Sequence, residues 1–145
     1  MTQETYHRGR RWVTATAAAT SVAVAIAWTV VRRRPFRVAV EGASMVPTLL
    51  PGDWALAASG ARLGRGDVVV VEHPGRPGYE MVKRLIAVPG DRVNGDRLLG
   101  PDEYWIEGDH TNASSDSRHF GPVRGEQLTA KVLLIYWPPS RRRLL

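Results

Sequence analysis

A loop serine and a scarce lysine are the residues through which this chain could do chemistry. The segment Val40-Glu-Gly-Ala-Ser-Met-Val-Pro-Thr-Leu-Leu-Pro-Gly-Asp53 leaves Ser44 on a loop after a β-type run. Gly42 and Ala43 leave room for a peptide to approach the hydroxyl, and Pro47 stiffens the residues after it. A serine in a glycine-rich turn is ordinary, and it becomes a nucleophile only beside a base. Three partners are open. His110 or His119, near Asp109 and Asp116, would build a Ser-His-Asp triad. Histidines and carboxylates together would hold a metal, although His7, His73, His110 and His119 show no ligand spacing. Lys83 would build a Ser-Lys dyad, and two features favour it. The chain has two Lys against eighteen Arg, so a lysine marks a place where an amine is needed rather than a charge. Lys83 also lies in Met81-Val-Lys-Arg-Leu-Ile-Ala-Val88, where apolar neighbours such as Val82 and Leu85 would desolvate an amine and lower its pKa, with Glu72 and Glu80 opposing that if they lie close.

Four segments occur in a telling order: GASMVPTL (42–49), GDVVVVEHP (66–74), KRLIAVPGD (83–91) and GDHTNASSDSRHFGPV (108–123). They resemble the successive signature boxes of type I signal peptidases, and the resemblance covers about 38–140. The closing YWPPSR (136–141) and the short distance from Lys83 to Asp116 are closer to the compact members, the Gram-positive signal peptidases and the mitochondrial inner-membrane proteases. The resemblance implies that Ser44 attacks the scissile carbonyl, that a neutral Lys83 takes its proton, and that the Ser44 amide faces the oxyanion. It implies that Ser114 hydrogen-bonds the lysine amine and that Asp116 and Arg118 form a supporting ion pair. Val38, Val40, Met45 and Val82 correspond to walls of shallow pockets for small residues before the cleavage point, with plain core packing the competing reading. It implies no metal and no cofactor. Three positions depart from the family pattern. Gly42 stands where the enteric enzymes place a hydroxyl residue of the oxyanion hole, His110 replaces an Asn after Gly-Asp, and Ala87 replaces a Gly.

The elements that must position these residues read as short strands. Runs at Phe36–Val40, Asp53–Ala57, Asp67–Glu72, Glu80–Val88, Tyr104–Glu107 and Ala130–Trp137 are separated by turn residues, and several are rich in Val, Ile, Tyr and Trp. Asn94-Gly95 between Arg92-Val93 and Arg97-Leu98 reads as a hairpin. No stretch after residue 37 keeps a helical period. The expected fold is mainly β, an antiparallel signal-peptidase-like domain over 38–140 after one N-terminal transmembrane helix.

That helix is read at 12–31, twenty residues without a charge, which as a helix span about 30 Å, the thickness of a bilayer core. A basic flank at 1–11 precedes it and a basic linker at 32–37 follows. The alternative is a cleaved signal peptide, and Arg32, Arg33 and Arg34 favour a retained anchor as a stop-transfer flank. The net charge of +6 divides into +6 over residues 1–37, −3 over 38–140 and +3 over Arg141–Arg143. A mildly acidic domain with basic ends speaks against a nucleic-acid partner. It suits membrane lipid at both ends, or for the 141–145 basic tail a solvated charge run. With no cysteine, disulfides and thiolate catalysis are excluded. The expected function is a single-pass protease of the cytoplasmic membrane, cutting precursor proteins on the outer face. A specialised maturation protease for few precursors, a self-cleaving regulator and a non-enzymatic membrane-anchored β module are the alternatives. The sequence implies no oligomeric state.

Overall fold

Four consecutive valines, Val68–Val71, are all buried, although a strand turns alternate side chains to opposite faces. Both faces of this strand must therefore be covered. Val68 and Val70 enter one core with Val40, Met45, Leu49, Ala55, Ala57, Ala130, Val132 and Ile135. Val69 and Val71 enter a second with Leu85, Ile106 and Val123. Each fully buried valine contributes on the order of 1.5–3 kcal/mol from burial of apolar surface.

The computed structural model describes residues 35–145. Its strands are β1 (Pro35–Ala39), β2 (Trp54–Ala58), β3 (Val68–Glu72), β4 (Glu80–Ala87), β5 (Arg92–Val93), β6 (Arg97–Leu98), β7 (Glu103–Glu107), β8 (Val123–Arg124), β9 (Leu128–Trp137) and β10 (Arg143–Leu144). A four-residue helix, α1 (Ser117–Phe120), is capped by the Asp116 side chain. The larger sheet runs β1-β2-β9-β3-β4-β7-β8, with β10 also on β9, and every pairing is antiparallel. The mainly β, antiparallel expectation holds, and each run read as a strand carries one, with ends shifted by a residue or two. β5 and β6 form the expected hairpin, closed over residues 94–96, with Asn94 and Gly95 both left-handed at φ 49° and 87°.

The ten-residue β9 is the spine, pairing β2 along one side and β3 then β10 along the other. β4 pairs β3 along its length, from Glu80↔Glu72 to Arg84↔Val68, but meets β7 only from Arg84 onward. The segment Glu80–Lys83 therefore has a free edge, and so does β1, which pairs only β2. The sheet reaches past both ends of the expected 38–140 domain: β1 begins at Pro35, and the basic tail supplies β10, with Leu145 packed against the first core. The expected anchor at 12–31 lies outside the described residues. Among the described residues no helix is long and apolar enough to cross a membrane.

Candidate active site

Ser44 sits in a loop whose neck is closed by two backbone bonds, from the Val40 amide to the Asp53 carbonyl and from the Gly52 amide to the Val40 carbonyl, 2.9 and 2.8 Å. Met45 and Leu49 plug this loop into the first core, and Leu49 bonds back to the Met45 carbonyl. The serine is thus carried on a packed base, with its hydroxyl directed to β4. There Lys83 Nζ lies 2.8 Å from Ser44 Oγ. Lys83 is 4% exposed, and burial pushes its amine below the ordinary lysine value. The Asp116 carboxylate opposes that shift and the Arg118 guanidinium adds to it. The opposing charge is therefore not Glu72 or Glu80. Glu72 accepts the Gly78 amide at 2.9 Å, and Glu80 is exposed on the sheet edge.

The carbonyl side of Ser44 is held by the segment after β7. The His110 amide donates to the Ser44 carbonyl at 2.9 Å. Gly108 passes so close that a Cβ there would stand 2.5 Å from that carbonyl oxygen and closer still to the Ser114 hydroxyl. Gly108 carries no chemistry of its own, and its only signal in the sequence is its place at the head of the 108–123 segment. Asp109 is clamped by Arg84, the residue after Lys83, with Nε and Nη2 at 2.7 and 2.6 Å. The same guanidinium reaches the Thr48 hydroxyl at 3.1 Å, so the lysine strand, the serine loop and this segment share one ion pair.

Asp116 and Arg118 form the expected pair, at 2.9 and 2.6 Å. Burial raises the Asp116 carboxyl, but Arg118, the Gly108 amide and the Ser114 hydroxyl together hold it far below the usual carboxylate range. Ser114 differs from expectation. Its hydroxyl donates to Asp116 at 2.6 Å, and among the described residues' hydrogen bonds none joins it to Lys83. A deeply buried carboxylate is the stronger acceptor, and the hydroxyl donates its hydrogen bond there. Among the described residues' hydrogen bonds none joins a histidine side chain to the Ser44 hydroxyl, whose partner is Lys83. His110 and His119 are exposed, and His119 Nδ1 lies 3.9 Å from Asp116. Among the described residues no group of histidines and carboxylates could hold a metal.

A cleft of about 690 Å³ opens between the free edges of β1 and β4, with Ser44 and Lys83 on its wall. Val38, Val40, Met45 and Val82 all line it, and all four also belong to or pack against the first core, so wall and core are the same residues. The described side chains have no buried polar atom without a partner. The arrangement is a groove in which a desolvated amine faces a loop hydroxyl.

The family model described as signal peptidase, peptidase S26, matches residues 9–99 and 94–137. The chain belongs to the signal peptidase family, S26. It is a serine endopeptidase of the signal peptidase I type, and the reading as a non-enzymatic β module falls. It is 41% identical to the mitochondrial ATP-independent inner membrane protease subunit 1a of Arabidopsis thaliana, over 70% of each chain. It is 36% identical to mitochondrial inner membrane protease subunit 2 of Danio rerio, over 92% of this chain and 81% of the relative. The Homo sapiens subunit 2 is also 36% identical, over 91% and 84%.

Proposed function

We propose that this peptidase is a membrane-anchored enzyme that removes signal or leader peptides from exported precursors through a Ser44–Lys83 dyad. The observation that carries the reading is the buried Lys83 amine 2.8 Å from the Ser44 hydroxyl. A neutral amine accepts the hydroxyl proton as Ser44 Oγ bonds to the scissile carbonyl carbon. The oxyanion faces the Ser44 amide. The proton passes from Lys83 to the leaving amine as the C–N bond breaks. Water, deprotonated by the same lysine, then bonds to the acyl carbon as the ester C–O bond to Ser44 breaks, and the lysine returns the proton to Ser44 Oγ. Burial serves this chemistry, because a general base must be unprotonated at working pH.

The precursor enters as an extended strand between the free edges of β1 and Glu80–Lys83, so that main-chain bonds supply affinity and alternate side chains enter the walls. Val38, Val40, Met45 and Val82 leave space for small residues before the cut. Asp116 and Arg118 support the site, and Ser114 acts on it through Asp116. The uncharged segment 12–31 anchors the chain once in the cytoplasmic membrane, with the peptidase domain on the outer face where exported precursors arrive. The relatives' names, which specify an inner membrane, support a membrane-bound enzyme.

A narrower maturation protease is the second reading. Glu41, His73, Arg76 and Glu80 also line the cleft, a polar rim that a wholly apolar leader leaves unmatched. One assay tests both. The full-length chain in detergent is offered a panel of precursors from the same cell, with Ser44→Ala as control. Cleavage after small residues by the parent alone supports the proposal, and the number of precursors cut separates general from specialised. Equal cleavage by Ser44→Ala contradicts it.

A further inference from the structure

The last residues of the chain bear on the loop that carries Ser44. Asp53, at its neck, is 2% exposed, and its carboxylate is gripped by Arg141 from 88 residues away. Arg141 Nε donates to Oδ1 and Oδ2 at 2.9 and 3.2 Å, and Nη2 to Oδ2 at 3.0 Å. The same carboxylate accepts the Leu50 amide at 2.9 Å. Arg141 Nη2 also reaches the Thr48 carbonyl at 3.4 Å, and Arg143 donates to that carbonyl as well. β10 then pairs with β9, and the Leu145 amide bonds to Leu133, which seats the tail against the first core. Thr48 is thereby tied twice, through its hydroxyl to Arg84 beside Lys83 and through its carbonyl to Arg141.

We infer that Arg141 is a positioning residue for the reaction, setting the Ser44 loop against Lys83 through Asp53 and Thr48. The inference rests on the dyad reading above. A bidentate guanidinium fixes direction as well as charge. Met45 and Leu49 hold the loop's depth in the core. The ties at Leu50, Asp53 and Thr48 set its rotation about that plug, and Ser44 sits on the same short arc. Displacing a reacting hydroxyl by about an ångström costs on the order of a hundredfold in rate. The neighbouring tail arginine does something else: Arg142 donates to the Tyr136 carbonyl and reaches neither the loop nor Asp53.

The test is steady-state cleavage of one precursor by the full chain and by Arg141→Ala, Arg141→Lys and Arg142→Ala, below each protein's melting temperature, with circular dichroism. A folded Arg141→Ala enzyme should lose roughly ten- to a hundredfold in kcat with KM within about twofold, in line with a misplaced group rather than lost binding. Low concentrations of guanidinium, which would weaken a merely destabilised protein, should restore part of that loss. Arg141→Lys keeps the charge beside buried Asp53 and not the fork, so it should fold and remain impaired. Arg142→Ala should match the parent. Parental kcat in either folded Arg141 variant overturns the inference. So does failure of both to fold, which assigns Arg141 to stability alone, and so does equal loss in Arg142→Ala, which assigns the effect to tail charge. A parent that cuts nothing refutes the dyad reading itself.

Discussion

Ser44 and Lys83 are 39 residues apart in the chain, and what joins them is a set of small, specific tolerances. Gly42, where the enteric enzymes place a hydroxyl residue, has no left-handed backbone, and a Cβ there would meet nothing within 4 Å. Gly42→Ser should therefore fold, and by adding a donor near the oxyanion it should leave kcat equal or mildly raised. A folded but inactive variant would show that substrate needs the empty space. Ser114 is the opposite case, a buried hydroxyl committed to Asp116. Ser114→Ala removes one donor from a carboxylate that keeps Arg118 and the Gly108 amide, and should cost on the order of 1–3 kcal/mol, measured in denaturant, with activity falling by no more than the same factor. Unchanged stability would contradict the assigned bond. The sequence showed both catalytic candidates because a lone lysine in an apolar strand and a serine in a small-residue loop are local signals. It did not show which acceptor Ser114 would choose, since that depends on how deeply Asp116 is buried.

Strands were legible because alternation and turn residues are local, and the Asn94-Gly95 hairpin is written in two residues. Their order was not. That β9 lies between β2 and β3, and that β4 keeps half an edge free, depends on pairings across the whole domain. The tail shows the same limit. Three arginines in a row look like a solvated run or a lipid contact, but Arg141 partners a carboxylate 88 residues back and Arg143 starts a strand. Element junctions are also where a glycine can be indispensable without a turn. Gly108 joins β7 to the segment holding the Ser44 carbonyl, and a methyl there meets both Ser44 and Ser114. Gly108→Ala should destabilise the domain by a few kcal/mol, as overpacking in a tight site does, and abolish turnover in whatever remains folded. A variant with the parent's melting temperature and rate would mean that β7 and the loop can separate without cost.

Over the whole molecule, the charges that serve the site act oppositely on stability. Lys83 titrates below its unfolded value, so its destabilisation is full below the folded pKa and fades as pH rises toward the free-lysine value. Asp116 titrates far below its unfolded value, so its contribution is present above the ordinary aspartate range and is lost as pH falls through the folded pKa. Lys83→Met should then raise the melting temperature near neutral pH, with the gain shrinking toward pH of about 10.4. A gain that grows with pH would reverse the assignment. Topology is the other property of the whole chain. With 12–31 as the span and the amino terminus inside, protease added to intact spheroplasts should remove residues 38–145, and full protection would contradict the outward orientation.

The most direct test of the dyad compares the only two lysines. Lys131 pairs with Asp67 at 2.6 Å on β9, half-buried, a role that needs its charge and not a neutral amine. Lys83 must lose its proton to work, and a guanidinium does not do so in this range. Precursor cleavage should rise with pH along a single ionisation below the free-lysine value in the parent and in Lys131→Arg. A folded Lys83→Arg enzyme should turn nothing over at any pH. Parental activity in folded Lys83→Arg would contradict the account and return the search for the base to His110 and His119.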